Sequence, residues 1–147
     1  MRKLYFVLLV LSLYGCATSK LLIEHSVDTS QKTITVPPGN SGLLGNIKEA
    51  LIQDGWQLET DTGPVETQGS MGATTALTSH QTFKSRYRLL INDHYYPVGQ
   101  WCFAEEYDFD ISVVDNQSGQ EAFALSGTSC GPTDAVNKFM KALDGKS

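Results

Sequence analysis

The sequence predicts an α+β fold: a two-layer sandwich with two helices on one face of a mainly antiparallel sheet of four or five strands. Three observations carry this expectation. Two segments place apolar residues at helical spacing, Leu44/Ile47/Leu51 and Val136/Phe139/Met140/Leu143. Two others, Tyr107–Val113 and Glu121–Leu125, alternate apolar and polar residues with the period of a half-buried strand. Between those alternating runs lies Asp115-Asn-Gln-Ser-Gly119, a composition that turns a chain back on itself.

The first residues belong to targeting and not to the fold. Arg2 and Lys3 precede an uncharged run of 11 residues, Leu4–Tyr14, dominated by Leu, Val and aromatics. A membrane-spanning helix needs about twenty apolar residues, so this run reads as the core of a signal peptide covering residues 1–15. The stretch Leu13-Tyr14-Gly15-Cys16 resembles the lipobox of bacterial lipoproteins. That resemblance implies cleavage before Cys16, diacylglycerol on its sulfur and an acyl chain such as palmitate on its new amino group. Each buried CH₂ contributes about 0.8 kcal/mol, so two or three chains anchor stably without a transmembrane segment. Ala17 stands where an aspartate would resemble an inner-membrane retention signal, which makes the outer membrane, with the domain facing the periplasm, the expected address.

Removing residues 1–15 from the 147 leaves 132, the size of one domain. The remaining chain holds 9 basic and 16 acidic residues, a formal charge of −7. That charge argues against nucleic acid and against direct adhesion to anionic headgroups, both of which want clustered Lys and Arg. With Cys16 assigned to lipid, Cys102 and Cys130 remain, and in an oxidising compartment they are the expected disulfide. Such a bridge closes a loop of about 29 residues and contributes roughly 3–4 kcal/mol in the chain-entropy model. The alternative use of either cysteine is as a reactive thiol.

Residues 16–32 read as the lipidated N-terminus and a tether or loosely docked lead-in, interrupted by the apolar Leu21, Leu22 and Ile23, leaving 33–147 as the domain. Ile34-Thr-Val36 gives a short strand ended by Pro37-Pro38-Gly39. A helix is predicted from about Leu43 to Asp54, capped by Asn40 or Ser41 and terminated by Gly55. Trp56-Gln-Leu58-Glu-Thr60 then alternates, with Trp56 and Leu58 inward. Residues 61–82, rich in Gly, Thr and Ser, show no clear period. They read as a long functional or disordered loop, or as a hairpin with strands near Pro64–Gln68 and Ala73–Thr78.

From Phe83 the strand signal returns, with Phe83, Tyr87, Leu89 and Ile91 on one face and Arg86 and Arg88 on the other. Asn92-Asp93-His94 is expected to break it. The Tyr107–Leu125 hairpin follows, and Pro132 sits where the first residue of the second helix belongs, because its missing N–H costs nothing there. This order, with the hairpin and its turn before a C-terminal helix, resembles small envelope lipoproteins with a fold like the TolB N-terminal domain. The resemblance implies an accessory role in the envelope and carries over no functional residue.

Chemistry is sparse. His25, His80 and His94 are isolated, without the spacing that brings zinc ligands together. Glu105, Glu106, Asp108, Asp110 and Asp115 form an acidic run in which Asp108 and Asp110 share one strand face, read as solvated or paired with Arg86 and Arg88, with cation binding the alternative. Tyr95, Tyr96, Trp101, Phe103 and Tyr107 place five aromatics in 13 residues, broken by Pro97 and Gly99. Tyr95, Tyr96, Trp101 and Phe103 are the candidate partner-binding residues, since Tyr and Trp bury large area at little entropic cost. The same cluster would alternatively cap the core beneath a loop. No nucleophile–base or paired-carboxylate pattern is visible, and no cofactor or metal is implied. Two function classes follow. One is a non-enzymatic accessory or scaffold binding another envelope protein. The other is an inhibitor or immunity factor that blocks a toxin or cell-wall hydrolase.

Overall fold

The computed structural model describes residues 19–63, 66–70, 76–80, 84–100, 102 and 104–145, the segments 66–70 and 76–80 as backbone only. Eight strands and two helices are described: β1 (Ser19–Ile23), β2 (Thr33–Val36), α1 (Gly42–Gln53), β3 (Gln57–Thr60), β4 (Glu66–Ser70), β5 (Ala76–His80), β6 (Tyr87–Tyr96), β7 (Glu106–Asp115), β8 (Glu121–Ser129) and α2 (Pro132–Leu143). Six strands form one sheet in the order β1-β8-β7-β6-β2-β3, and β4 and β5 pair separately. The α+β class is as expected. The sheet is larger than expected and mixed, because β2 runs parallel to both β3 and β6.

The parallel pair has a local cause. β2, α1 and β3 follow one another, and a helical crossover returns the chain to lie beside β2 in the same direction. Gly55, at φ 85°, sits in the left-handed region just after the helix, so the chain can turn without a Cβ clash. Trp56 enters the core immediately afterwards, its ring edge-on to Tyr87 at 6.4 Å. Ser41 occupies the cap position of α1 in extended backbone but makes no side-chain cap bond.

The antiparallel half is the continuous part. β6 pairs with β7 from Tyr87↔Asp115 to Tyr96↔Glu106, and β7 with β8 from Tyr107↔Ser129 to Val114↔Glu121. β6 therefore runs straight through Asn92-Asp93-His94, where a break was expected. Ladder hydrogen bonds to β7 outweigh the poor strand preference of those polar residues. Near the other end a register shift at Val113/Val114 takes up Ala122 as an extra residue.

Residues 19–32 also differ from the expected tether. β1 pairs with β8 from Ser19↔Gly127 to Ile23↔Phe123, making it one edge of the sheet. Beyond it, Val27 is buried, and the Asp28 N–H donates to the Tyr87 hydroxyl at 2.7 Å. Leu21-Leu22-Ile23 is too short to show a period, and its partner lies at the far end of the chain.

The two helices lie against each other and against the sheet, α1 near β3 and β6 and α2 near β8. The core between the layers is formed by Leu43, Ile47 and Leu51 of α1, Phe139 and Leu143 of α2, and Ile34, Leu89, Ile111, Phe123 and Leu125 of the sheet. Each such side chain, fully buried, contributes about 1.5–3 kcal/mol. Phe123 and Phe139 join sheet to helix directly, with ring centroids 5.8 Å apart. Both predicted helical stripes face this core, with Val136 and Met140 at its margin.

Candidate functional site

The far end of the β6–β7 hairpin gathers most of the residues singled out in the sequence. Strand pairing puts Tyr95 opposite Tyr107 and Tyr96 opposite Glu106. Successive side chains on β6 point to opposite faces, so Tyr95 lies on the helix side while His94 and Tyr96 lie on the open side. Tyr95 tilts over the buried Tyr107 with centroids 5.1 Å apart. The His94 and Tyr96 rings, two residues apart on the same strand face, meet at a 58° tilt with centroids 4.6 Å apart. Tyr95 and Tyr96 are 46% and 38% exposed, and Val98, just past the strand end, is 78% exposed. Trp101 and Phe103 lie outside the described residues.

The loop after Tyr96 is tied down at three points. The Gly99 N–H donates to the Ala104 carbonyl at 3.0 Å. The Cys102 N–H donates to Glu106 Oε2 at 3.2 Å, so a carboxylate only 4% exposed holds the loop from beneath. Cys102 is joined to Cys130, with α-carbons 5.4 Å apart, which fastens the loop to the junction between β8 and α2. There Ser129 donates to the Gly131 carbonyl at 2.8 Å, and Pro132 opens the helix. The aromatic end of the hairpin is a stapled platform. Tyr95 and Tyr96 present part of their surface outward, while Tyr107 is buried and belongs to the core.

The acidic run divides in a way its spacing did not reveal. Glu106 and Asp115 are buried, Asp108 accepts a hydrogen bond from the Thr128 hydroxyl at 2.6 Å, and only Glu105 and Asp110 are exposed. Arg86 reaches Asp115 at 3.4 Å and Asp28 at 2.7 Å, at the opposite end of the sheet from the tip. Arg88 stands on the open face opposite Val114 and not beside Asp108 or Asp110. Two hydrogen bonds from Ser30, through its hydroxyl and its N–H, hold the Asp28 carboxyl below the usual carboxylate range, helped by Arg86. At the tip, burial raises the Tyr107 hydroxyl above the ordinary tyrosine value, and the charges of Glu105 and Asp93 add to the effect.

A second surface was only partly legible. On the face away from the helices, Leu22, Ala124, Ser112 and Leu90 line up in register across four strands. Leu22 and Leu90 are 54% and 43% exposed, with two short side chains between them. On β8, Ala124 faces outward in this row, whereas Ala122 is buried at the register shift. Val98, Gly99 and Glu106 were missed as members of the tip. Pro97 and Gly99 marked a loop, and nothing in the sequence distinguished Glu106 from its solvated neighbours.

Among the described residues no three His, Cys, Asp or Glu side chains converge as a metal site. Within them no helix is long and apolar enough to cross a membrane. The open groove beside α1 is lined by Asn40, Gly45, Glu49 and Lys48, whose ammonium group is taken up by the Pro37 and Gly39 carbonyls.

The fold and the stapled tip together define a small α+β domain built round a six-stranded mixed sheet. No protein-family model matches the chain. Nor does any curated protein match it. Among solved structures it is similar to a dodecamer of a PelC point variant from Paraburkholderia phytofirmans, with a TM-score of 0.55 and 11% sequence identity. The match covers 88% of this chain and 98% of that one. At that identity the likeness extends to the fold alone.

Proposed function

We propose that this protein is a lipoprotein, anchored in the outer membrane through acylated Cys16 and facing the periplasm, that serves as a non-enzymatic accessory or scaffold. In this reading it binds another envelope protein and uses no cofactor. The observation that carries it is the open row Leu22–Ala124–Ser112–Leu90, which presents two exposed leucines on the face away from the helices. Exposed apolar groups held on regular strands with small neighbours between them suit a protein interface. The assembled state of the similar PelC structure, a dodecamer, adds support for a role in an assembly.

The inhibitor or immunity reading remains the second one, favoured by a protruding hairpin end that carries the exposed acids Asp93 and Glu105 beside its aromatics. Affinity capture from gently solubilised membranes separates the two. Recovery of a multiprotein envelope assembly is the expected result. Recovery of a lone secreted or periplasmic hydrolase would replace the scaffold reading with the inhibitor one. Cys16→Ser tests the anchor: the variant should lose palmitate labelling and leave the membrane fraction. Retention of both would remove the lipoprotein assignment.

A further inference from the structure

We infer that the stapled tip, Tyr95, Tyr96 and Val98, is a membrane-contact surface that rests in the interfacial zone of the bilayer. The inference rests on the lipid-anchor reading above and deepens it.

The reach of the chain between Cys16 and β1 limits how far the tip can stand from the bilayer. Ser19 pairs with Gly127, Gly127 with Phe109 and Phe109 with Asp93, so Ser19 lies level with Asp93 across the sheet. β6 continues past that level for three more residues to Tyr96, about 10 Å at 3.3 Å per residue. Cys16 is three residues before Ser19, and a fully extended chain spans at most about 10–11 Å over that distance. β1 runs antiparallel to β8, so its N-terminus leaves the sheet toward the same end as the tip. An acylated Cys16 holds its own backbone at headgroup level. With the strands standing along the membrane normal, the tip lies at that level or beyond it, because three extended residues are too short to lift it clear.

The apolar side chains of the two ends are distributed in keeping with this orientation, and the exposed acids Asp93 and Glu105 flank them at the tip. The tip carries Tyr95, Tyr96 and Val98, with partly exposed rings whose hydroxyls stay wet while their faces meet apolar surface. The opposite end is the turn Asn116-Gln117-Ser118, polar throughout, beside the Arg86–Asp115 pair. Of the seven large apolar side chains exposed among the described residues, three lie at the tip. The tip's own affinity need not be large, because the acyl chains supply the anchoring. This assignment leaves the open row at Leu22 and Leu90 to a protein partner.

The test uses full-length acylated protein in vesicles of phosphatidylethanolamine with one quarter phosphatidylglycerol. A benzophenone amino acid is placed at Val98 in one preparation and at Ser118 in another, and adducts are read by mass spectrometry after illumination. Phospholipid adducts roughly tenfold more abundant at position 98 than at 118 are expected for a side chain held in the interface. Equal yields at the two positions, or adducts to protein alone at 98, in a preparation that is palmitate-labelled and vesicle-bound would overturn the orientation and leave the anchor standing. Absence of palmitate on the wild-type chain would overturn both. Hydrogen exchange on the unsubstituted protein gives an independent reading. The amides of residues 98–104 should slow when the acylated protein binds vesicles, relative to soluble Cys16→Ser, and unchanged exchange would count against the contact.

Discussion

Gly99 lies directly over Glu106. A Cβ added at Gly99 would stand 2.7 Å from the Glu106 carboxyl carbon and closer still to its Cβ and Oε2. Glycine is needed here for space and not for backbone conformation, since the left-handed glycines of the chain are others. Glu106 cannot swing away, because it is buried and accepts the Cys102 N–H.

Gly99→Ala should therefore destabilise the protein by about 1–3 kcal/mol, the usual range for overpacking a tight contact. Chemical denaturation of the oxidised protein measures it. Val98→Ala, one residue away and exposed, should fall within about 0.5 kcal/mol of the parent. Equal effects at the two positions would show that the loop does not sit on Glu106.

Replacing both Cys102 and Cys130 by Ala should cost about 2–4 kcal/mol, because the unfolded chain recovers the freedom of the loop they close. The same variant should raise hydrogen exchange selectively between residues 97 and 105. A uniform rise across the sheet would mean that the bridge secures the whole fold and not the tip in particular.

Acid stability should depend on Asp28. Its carboxyl is held below 3.8 by the Ser30 hydrogen bonds first and Arg86 second. A lowered folded-state value means that its contribution is present above pH 3.8 and is lost as the pH falls through the folded value. Asp28→Asn should flatten the acid limb of a stability–pH curve in that window and leave the curve above pH 6 parallel to the parent's. An unchanged acid limb would show that the Ser30 and Arg86 contacts do not bias the carboxyl.

Alkaline behaviour should depend on Tyr107. Burial, then Glu105, Tyr95 and Asp93, raise its hydroxyl above 10.0. The folded state then holds the phenolic proton more tightly than the unfolded chain does. That contribution is complete below pH 10.0 and is lost as the pH rises through the folded value. In a phenolate-absorbance titration the last tyrosine to ionise should vanish in Tyr107→Phe. If the late step survives the substitution, another tyrosine is the shielded one.

The elements legible in the sequence were those whose signals are local. Leu44, Ile47 and Leu51 with Gly55 specify α1, Pro132 with the Val136–Leu143 stripe specifies α2, and clean alternation specifies β7 and β8. What the sequence hid depends on partners far along the chain. β1 became a strand through its pairing with β8, and Asn92-Asp93-His94 stayed extended because all of β7 lies beside it. The hairpin alternative for residues 61–82 proved the right one in outline, with β4 and β5 shifted two or three residues along the chain. At the tip, exposed Tyr95 and Tyr96 were readable from composition. Burial of Glu106 was not, since a carboxylate beneath a loop and one in water look alike in a string of acids.

The pairing of β1 with β8 also sets an order of events. During synthesis Ser19–Ile23 is made among the first residues of the domain, while its partner Phe123–Gly127 is made among the last. Until then Leu21, Leu22 and Ile23 have no strand to join, and the sheet has no finished edge. Contacts between such distant segments are slow to form. The nascent domain must pass through an open, adhesive stage, and closure of this one edge is the event that ends it.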